Sequence, residues 1–171
     1  MELGYRKSPG LHQPWSRPDE RFMTRALELA RRAEAEGEVP VGAVVVYQDV
    51  IVGEGWNRPI STADPTAHAE IEALRQASSH LRNYRLPDCT MYTILEPCAM
   101  CAGALVLARI KRLVFGARDL RFGAVRSKFR LADSDLMNHQ IRIEEGLFAA
   151  ETANLLESFF RRRRVLRAYK K

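Results

Sequence analysis

The stretch Thr90-Met91-Tyr92-Thr93-Ile94-Leu95-Glu96-Pro97-Cys98-Ala99-Met100-Cys101 runs an apolar strand into a helix that opens on two cysteines. Residues 90–95 have the β-branched and aromatic content of a buried strand. The helix beginning near Pro97 puts Cys98 and Cys101 three residues apart on one face, where two sulfurs can grip a single metal ion. Two thiolates do not complete a site. A catalytic zinc centre takes three protein ligands and keeps a fourth position for water, and His68, in His68-Ala69-Glu70 at the start of another helix, is the best available third ligand. Glu70 then stands as the base beside that water.

A Cys-x-x-Cys after a strand also fits a thioredoxin-like redox pair. Pro97 before the pair, and the His-x-Glu that opens its own helix, favour metal instead. Together they spell the zinc-deaminase signature H-x-E…P-C-x-x-C.

A chain of 171 residues, 46% hydrophobic, can bury one sizeable core, and residues 20–165 are assigned to that domain. Residues 1–19 carry Pro9, Pro14 and Pro18 among scattered basic residues and no continuous apolar run, so they read as a mobile arm, neither signal peptide nor anchor. No stretch is long and apolar enough to span a bilayer, so no membrane partner is expected and the cytoplasm is the default. Outside the metal motif the only cysteine is Cys89, a small core residue at a strand entrance, so no disulfide framework is implied.

Residues 161–171 hold seven basic side chains and no acidic one, so the net charge of +6 is carried by this tail. Its end, residues 166–171, is expected to continue the last helix. A second basic region comprises Arg109, Lys111, Arg112, Arg118, Arg121, Arg126, Lys128 and Arg130, with Asp119 as its local acid. Two such clusters on an otherwise balanced chain point to a polyanionic partner.

In chain order, Asp19 is a candidate cap for a helix from about Glu20 to Glu36, stopped by Gly37. Val41–Tyr47 reads as a strand covered on both faces, turned by Gln48-Asp49 into 50–54, although that dipeptide is a poor hairpin signal. Trp56-Asn57-Arg58-Pro59 opens a loop to Pro65, in which Asn57 is either a turn residue or an amide reaching into the site. Thr66 is a candidate cap for a helix from Ala67 to about Ser78, whose apolar stripe of Ala67, Ile71, Leu74 and Ala77 includes Glu70. An inward carboxylate there is informative, because an unpaired buried charge is costly. The helix after Pro97 is apolar nearly all round, with Met100, Ala104, Leu107 and Ala108 on a face that needs a second cover. A strand over 113–117, a loop over 118–138 with Phe122 and Phe129 among basic residues, a short strand near 141–143 and a helix from about Phe148 complete the chain. Those two aromatics are either core residues or stacking rings of a nucleic-acid groove.

The sequence resembles the bacterial tRNA-specific adenosine deaminases of the cytidine deaminase-like superfamily. The resemblance is carried by Val39-Pro40-Val41-Gly42-Ala43, Gly55-Trp56-Asn57-Arg58-Pro59, Asp64-Pro65-Thr66-Ala67-His68-Ala69-Glu70-Ile71, Asn83-Tyr84-Arg85-Leu86, Leu95-Glu96-Pro97-Cys98 and Phe115-Gly116-Ala117-Arg118-Asp119. It implies an α/β fold of three α/β/α layers with a five-stranded mixed sheet, a homodimer, and conversion of the wobble adenosine of a tRNA anticodon stem-loop to inosine through a zinc-activated water. It implies zinc ligation by His68, Cys98 and Cys101, proton transfer by Glu70, base contact by Asn57, and RNA-side positions at Asp119, Phe160 and Arg163. Single-stranded DNA is a further candidate substrate. Leu120-Arg121-Phe122-Gly123-Ala124 departs from the Lys-Thr-Gly-Ala of many relatives, which leaves the nucleotide contacts of this segment its own.

Two other readings compete. Deamination of a free base or nucleoside, such as cytidine or guanine, uses the same machinery but gives no purpose to the basic tail. A non-catalytic RNA-binding subunit with structural zinc gives no purpose to an inward Glu70.

Overall fold

The computed structural model describes residues 15–168, with side chains to 165. Most of the expected arm, and Lys170 and Lys171 of the tail, lie outside the described residues. The elements run α1 (Arg17–Ala35), β1 (Gly42–Tyr47), β2 (Val50–Trp56), α2 (Pro59–Thr62), α3 (Ala69–Leu81), β3 (Thr90–Leu95), α4 (Ala99–Leu107), β4 (Arg112–Ala117), β5 (Arg142–Glu145) and α5 (Ala149–Ala168).

The strands form one five-stranded sheet in the order β2-β1-β3-β4-β5. β1 is antiparallel to β2 and β3, whereas β3, β4 and β5 run parallel, so the sheet is mixed as expected. The hairpin between β1 and β2 closes on Gln48 and Asp49, both at positive φ (48° and 60°), the twist a two-residue turn requires.

Glycines fix how the helices lie. A Cβ on Gly55 would come within 2.1 Å of the Ala69 carbonyl oxygen, and one on Gly53 within 2.2 Å of that of Ala73, so β2 receives the α3 backbone directly. Ala43 pairs with Gly55 and shares its face, which turns the adjacent Gly42 to the other side. There a Cβ would meet the Ala26 carbonyl oxygen of α1 at 2.2 Å. The same alternation through Thr93 and Phe115 puts Gly116, which faces Thr152 of α5, on the α1 side. α1 and α5 therefore cover one face and α3, which packs on α4, the other. β1 and β3, buried along nearly their whole length, form the centre of the core.

Several expected boundaries are corrected. Ser16, not Asp19, caps α1: its Oγ accepts from the Asp19 N–H at 3.2 Å and donates to Asp19 Oδ2 at 2.7 Å. Asp19 is instead buried beneath Tyr92, whose hydroxyl donates to it at 2.7 Å, and Arg112, also at 2.7 Å. Burial pushes the Asp19 carboxyl up, but the hydrogen bonds from Arg112, Ser16 and Tyr92 outweigh it and hold it at about 2. Thr66 does not cap α3, because its hydroxyl and N–H both go to Asp64 Oδ1. The cap position falls to His68, and Ile71 of the expected stripe is only half-buried while Ala69, Ala73, Leu74 and Ala77 line the core. Residues 59–62 of the expected loop form the short α2.

Candidate metal centre and cavity

Two helix N-termini meet beneath the ends of β2 and β3. His68 is the N-cap of α3 and Cys98 the N-cap of α4, both in extended conformation with side chains unused for capping. Their freedom is what lets them converge. His68 Nδ1 lies 3.7 Å from Cys98 Sγ and 3.6 Å from Cys101 Sγ, and the three ligand atoms all fall within 4.8 Å of one another. Tetrahedral zinc with its usual bond lengths would set sulfur and nitrogen ligands roughly 3.6 Å apart. The donor set and its spacing therefore fit that ion, with Cys98 and Cys101 both free of disulfides.

The electrostatics fit it as well. A hydrogen bond from Cys101, opposed by burial and aided by His68, pulls the Cys98 thiol down to about 4. The position at a helix N-terminus favours the same thiolate. Cys101 is raised, first by its hydrogen bond with Cys98 and then by burial, so the pair without a cation holds a proton that a dication displaces.

Glu70 is 4% exposed and stands outside the ligand set, its Oε2 lying 3.5 Å from Cys101 Sγ. Burial raises its carboxyl above the ordinary carboxylate range. A carboxyl with raised proton affinity takes a proton more readily than an exposed one, as transfer to and from a neighbour requires.

His68, Glu70 and Cys98 open into a cavity of about 660 Å³. Asn57 is buried in its wall, its Oδ1 accepting from the Ala69 N–H at 3.0 Å, which turns the ambiguous loop residue into a fixed part of the site. Glu38 holds the adjacent wall, accepting from the N–H groups of Ile60 and Ser61. Asp119 and Phe160 also line the cavity. Arg163 is not among its lining residues: it donates to the Gly37 carbonyl at 3.3 Å and lies over the Phe159 ring.

Glu96 is the residue sequence reasoning missed. It is buried at the end of β3, directly before the Pro97-Cys98 turn, and gathers five hydrogen bonds from the opposite wall. Oε1 accepts from the N–H groups of Val125, Arg126 and Ser127, and Oε2 from the Asp119 N–H and the Ser127 hydroxyl. The Ala124 N–H donates to the Pro97 carbonyl at 2.8 Å, completing the join. An acid closing an otherwise apolar strand was the available signal.

The second basic cluster is largely neutralised by acids from other elements. Arg112 pairs with Asp19 and Glu144, Lys111 with Asp88, Arg118 with Glu145, and Arg126 and Arg130 with Asp133. Arg121 and Lys128 make no such pair among the described residues. Phe122 and Phe129 are both exposed, which excludes the reading of them as core aromatics.

Against known proteins, residues 16–117 match a family model described as the cytidine and deoxycytidylate deaminase zinc-binding region. The chain is 53% identical over 147 residues to a tRNA-specific adenosine deaminase of Haemophilus influenzae, covering 85% of each chain. A structure solved in a study of A-to-I editing by tRNA:A34 deaminases at the wobble position is similar at TM-score 0.77 and 42% identity, over 80% of this chain and 99% of that one. A guanine deaminase from Nitrosomonas europaea is similar at TM-score 0.72 but 28% identity, over 82% and 83%.

Proposed function

Because this chain belongs to the zinc-binding cytidine and deoxycytidylate deaminase family, and within it to the tRNA-specific adenosine deaminases, we propose that it hydrolytically converts the wobble adenosine of a tRNA anticodon to inosine. The observation that carries the reading is the buried Glu70 beside a converged His68, Cys98 and Cys101, with Glu70, His68 and Cys98 all lining one cavity.

His68 Nδ1, Cys98 Sγ and Cys101 Sγ would hold the zinc ion. When bound there, zinc supplies Lewis-acid activation of a water molecule as the nucleophile. Glu70 acts through its carboxylate oxygens: it takes a proton from the attacking water, gives one to the purine ring nitrogen beside C6, and passes the last to the departing ammonia. Its raised proton affinity suits both directions of transfer. Asn57 keeps Oδ1 on the Ala69 N–H, so its NH₂ group is the part offered to a base entering the cavity. An anticodon loop supplies such a base cheaply, because its bases are already partly unstacked.

We also propose that the chain works as a homodimer. α4 contains no polar side chain other than cysteine, and its outward face of Ala99, Met100, Gly103, Ala104 and Leu107 is left at least partly uncovered; Ala108 of the expected face is buried instead. A second copy supplies an apolar cover of the same kind. Among the described residues no helix is long and apolar enough to cross a membrane, and the proposed tRNA substrate agrees with a cytoplasmic location.

The test is inosine formation in a tRNA transcript with A at the wobble position, run beside Glu70→Ala and a single-stranded DNA of the same loop sequence. Wild-type protein is expected to form inosine in the tRNA, and Glu70→Ala to retain zinc while losing at least about 10²-fold in rate. Zinc loss or parental turnover in Glu70→Ala would contradict the role given to that residue.

A further inference from the structure

We propose that Phe122 is a stacking platform for the base next to the one deaminated, and that it thereby adds to the affinity of this chain for its RNA. The proposal rests on the deamination reading above and adds a contact that the zinc chemistry does not require.

Three large apolar side chains stand exposed around the opening of the cavity: Leu120 (72%), Phe122 (67%) and Phe160 (44%). Apolar surface gathered at the mouth of a cavity marks a contact surface. Its charge identifies the occupant. The Arg121 guanidinium, which makes no ion pair among the described residues, sits 5.7 Å from the centroid of the Phe122 ring. An aromatic face backed by a cationic side chain fits single-stranded RNA, whose bases stack and whose phosphates are anionic.

The ring is presented by a prebuilt wall. Asp119 Oδ1 accepts from the N–H groups of Arg121 and Phe122, and the Gly123 N–H donates to the Asp119 carbonyl, which closes the turn that carries the ring. Glu96 ties that turn to the strand leading into Cys98, so closely that a Cβ on Gly123 would lie 2.3 Å from the Glu96 carboxyl carbon. Phe122 is thus held in fixed relation to the metal ligands. When the target base leaves its stack for the cavity, its neighbour loses a stacking partner, and the ring at the rim replaces it.

The experiment measures equilibrium binding and inosine formation with RNA hairpins carrying the target adenosine, intact or with an abasic nucleotide on its 5′ or its 3′ side. Phe122→Ala, checked for unchanged melting, is expected to bind the intact hairpin roughly five- to a hundredfold more weakly, and Phe122→Trp to bind it as wild type does. On one of the two abasic hairpins wild type and Phe122→Ala should bind equally. A Phe122→Ala penalty that is absent on the intact hairpin, or that persists on both abasic hairpins, would overturn the platform. The deamination reading fails separately: wild type would then show the flank-dependent binding pattern and form no inosine in any hairpin.

Discussion

Asn57 and Ala69, twelve residues apart, are joined by a 3.0 Å hydrogen bond from the Ala69 N–H to the Asn57 side-chain oxygen. The bond ties the chain leaving β2 to the first residue of α3, between His68 and Glu70. In the proposed reading, one amide orders the start of α3 with its oxygen and offers its nitrogen to the base in the cavity. Asn57→Asp keeps the acceptor and loses the donor, so it should fold and bind zinc as wild type does while turnover falls at least about tenfold. Asn57→Ala also strands the buried N–H and should lose about 1–3 kcal/mol of stability. Chemical denaturation and single-turnover rates on both variants check the division. Equal stability of Asn57→Ala and wild type would remove the structural half of the role.

Glu96 should behave as a positioning residue. Glu96→Gln replaces one carboxylate oxygen with an NH₂ that faces N–H donors, leaving at least one buried donor without an acceptor. A loss of about 1–3 kcal/mol is expected. Zinc content should remain unchanged, and the fall in kcat/KM should come mainly through KM, because the wall moves and the ligands do not. A fall confined to kcat would contradict this.

Stability should depend on Asp19 at acid pH. Its carboxyl sits at about 2 in the folded chain against 3.8 for the ordinary group. A depressed carboxylate contributes stability that is complete above its unfolded value and disappears as pH falls through the folded one. The contribution, about 2 kcal/mol, should therefore be present at pH 6 and largely gone at pH 2. The stability difference between wild type and Asp19→Asn, followed by denaturant titration across that range, should shrink accordingly. A constant difference would show that burial alone, without the charge, accounts for the site.

The basic helix end is expected to matter through phosphates. Arg162 pairs with Glu34 and Arg163 holds the Gly37 carbonyl, whereas Arg161 and Arg164 are exposed on α5 with no ion pair among the described residues. Arg161→Glu with Arg164→Glu should flatten the dependence of log affinity for tRNA on log salt by about 1–2. An unchanged slope would take this end of α5 out of the binding surface.

The strand over 90–95 and the cysteine pair were legible because each is encoded locally, by β-branched content in one case and by helix spacing in the other, whereas His68 comes from another helix and was legible through the His-x-Glu motif that it shares with Glu70. Asp19 was misread as a cap because its partners, Tyr92 and Arg112, come from 73 and 93 residues away. The basic field over 109–130 is less bare than its sequence suggests, because Lys111, Arg112 and Arg118 meet acids 23, 93 and 27 residues away, whereas Arg126 and Arg130 share Asp133 nearby in the same loop. Thr66 looked like a cap until Asp64 took its hydroxyl, a local competition that spacing alone does not rank. Glu96 escaped because its function appears only when residues 119–127 fold back over it.

The central claim is tested most directly by kcat/KM measured in parallel for a tRNA with A at the wobble position and for free adenosine, cytidine and guanine, using zinc-loaded wild-type protein. The account predicts deamination of the tRNA at the wobble base and rates on the free compounds lower by several orders of magnitude, because binding energy from the anticodon loop is used to place the base at Glu70. Efficient turnover of free guanine or cytidine, with the tRNA left unmodified, would contradict it.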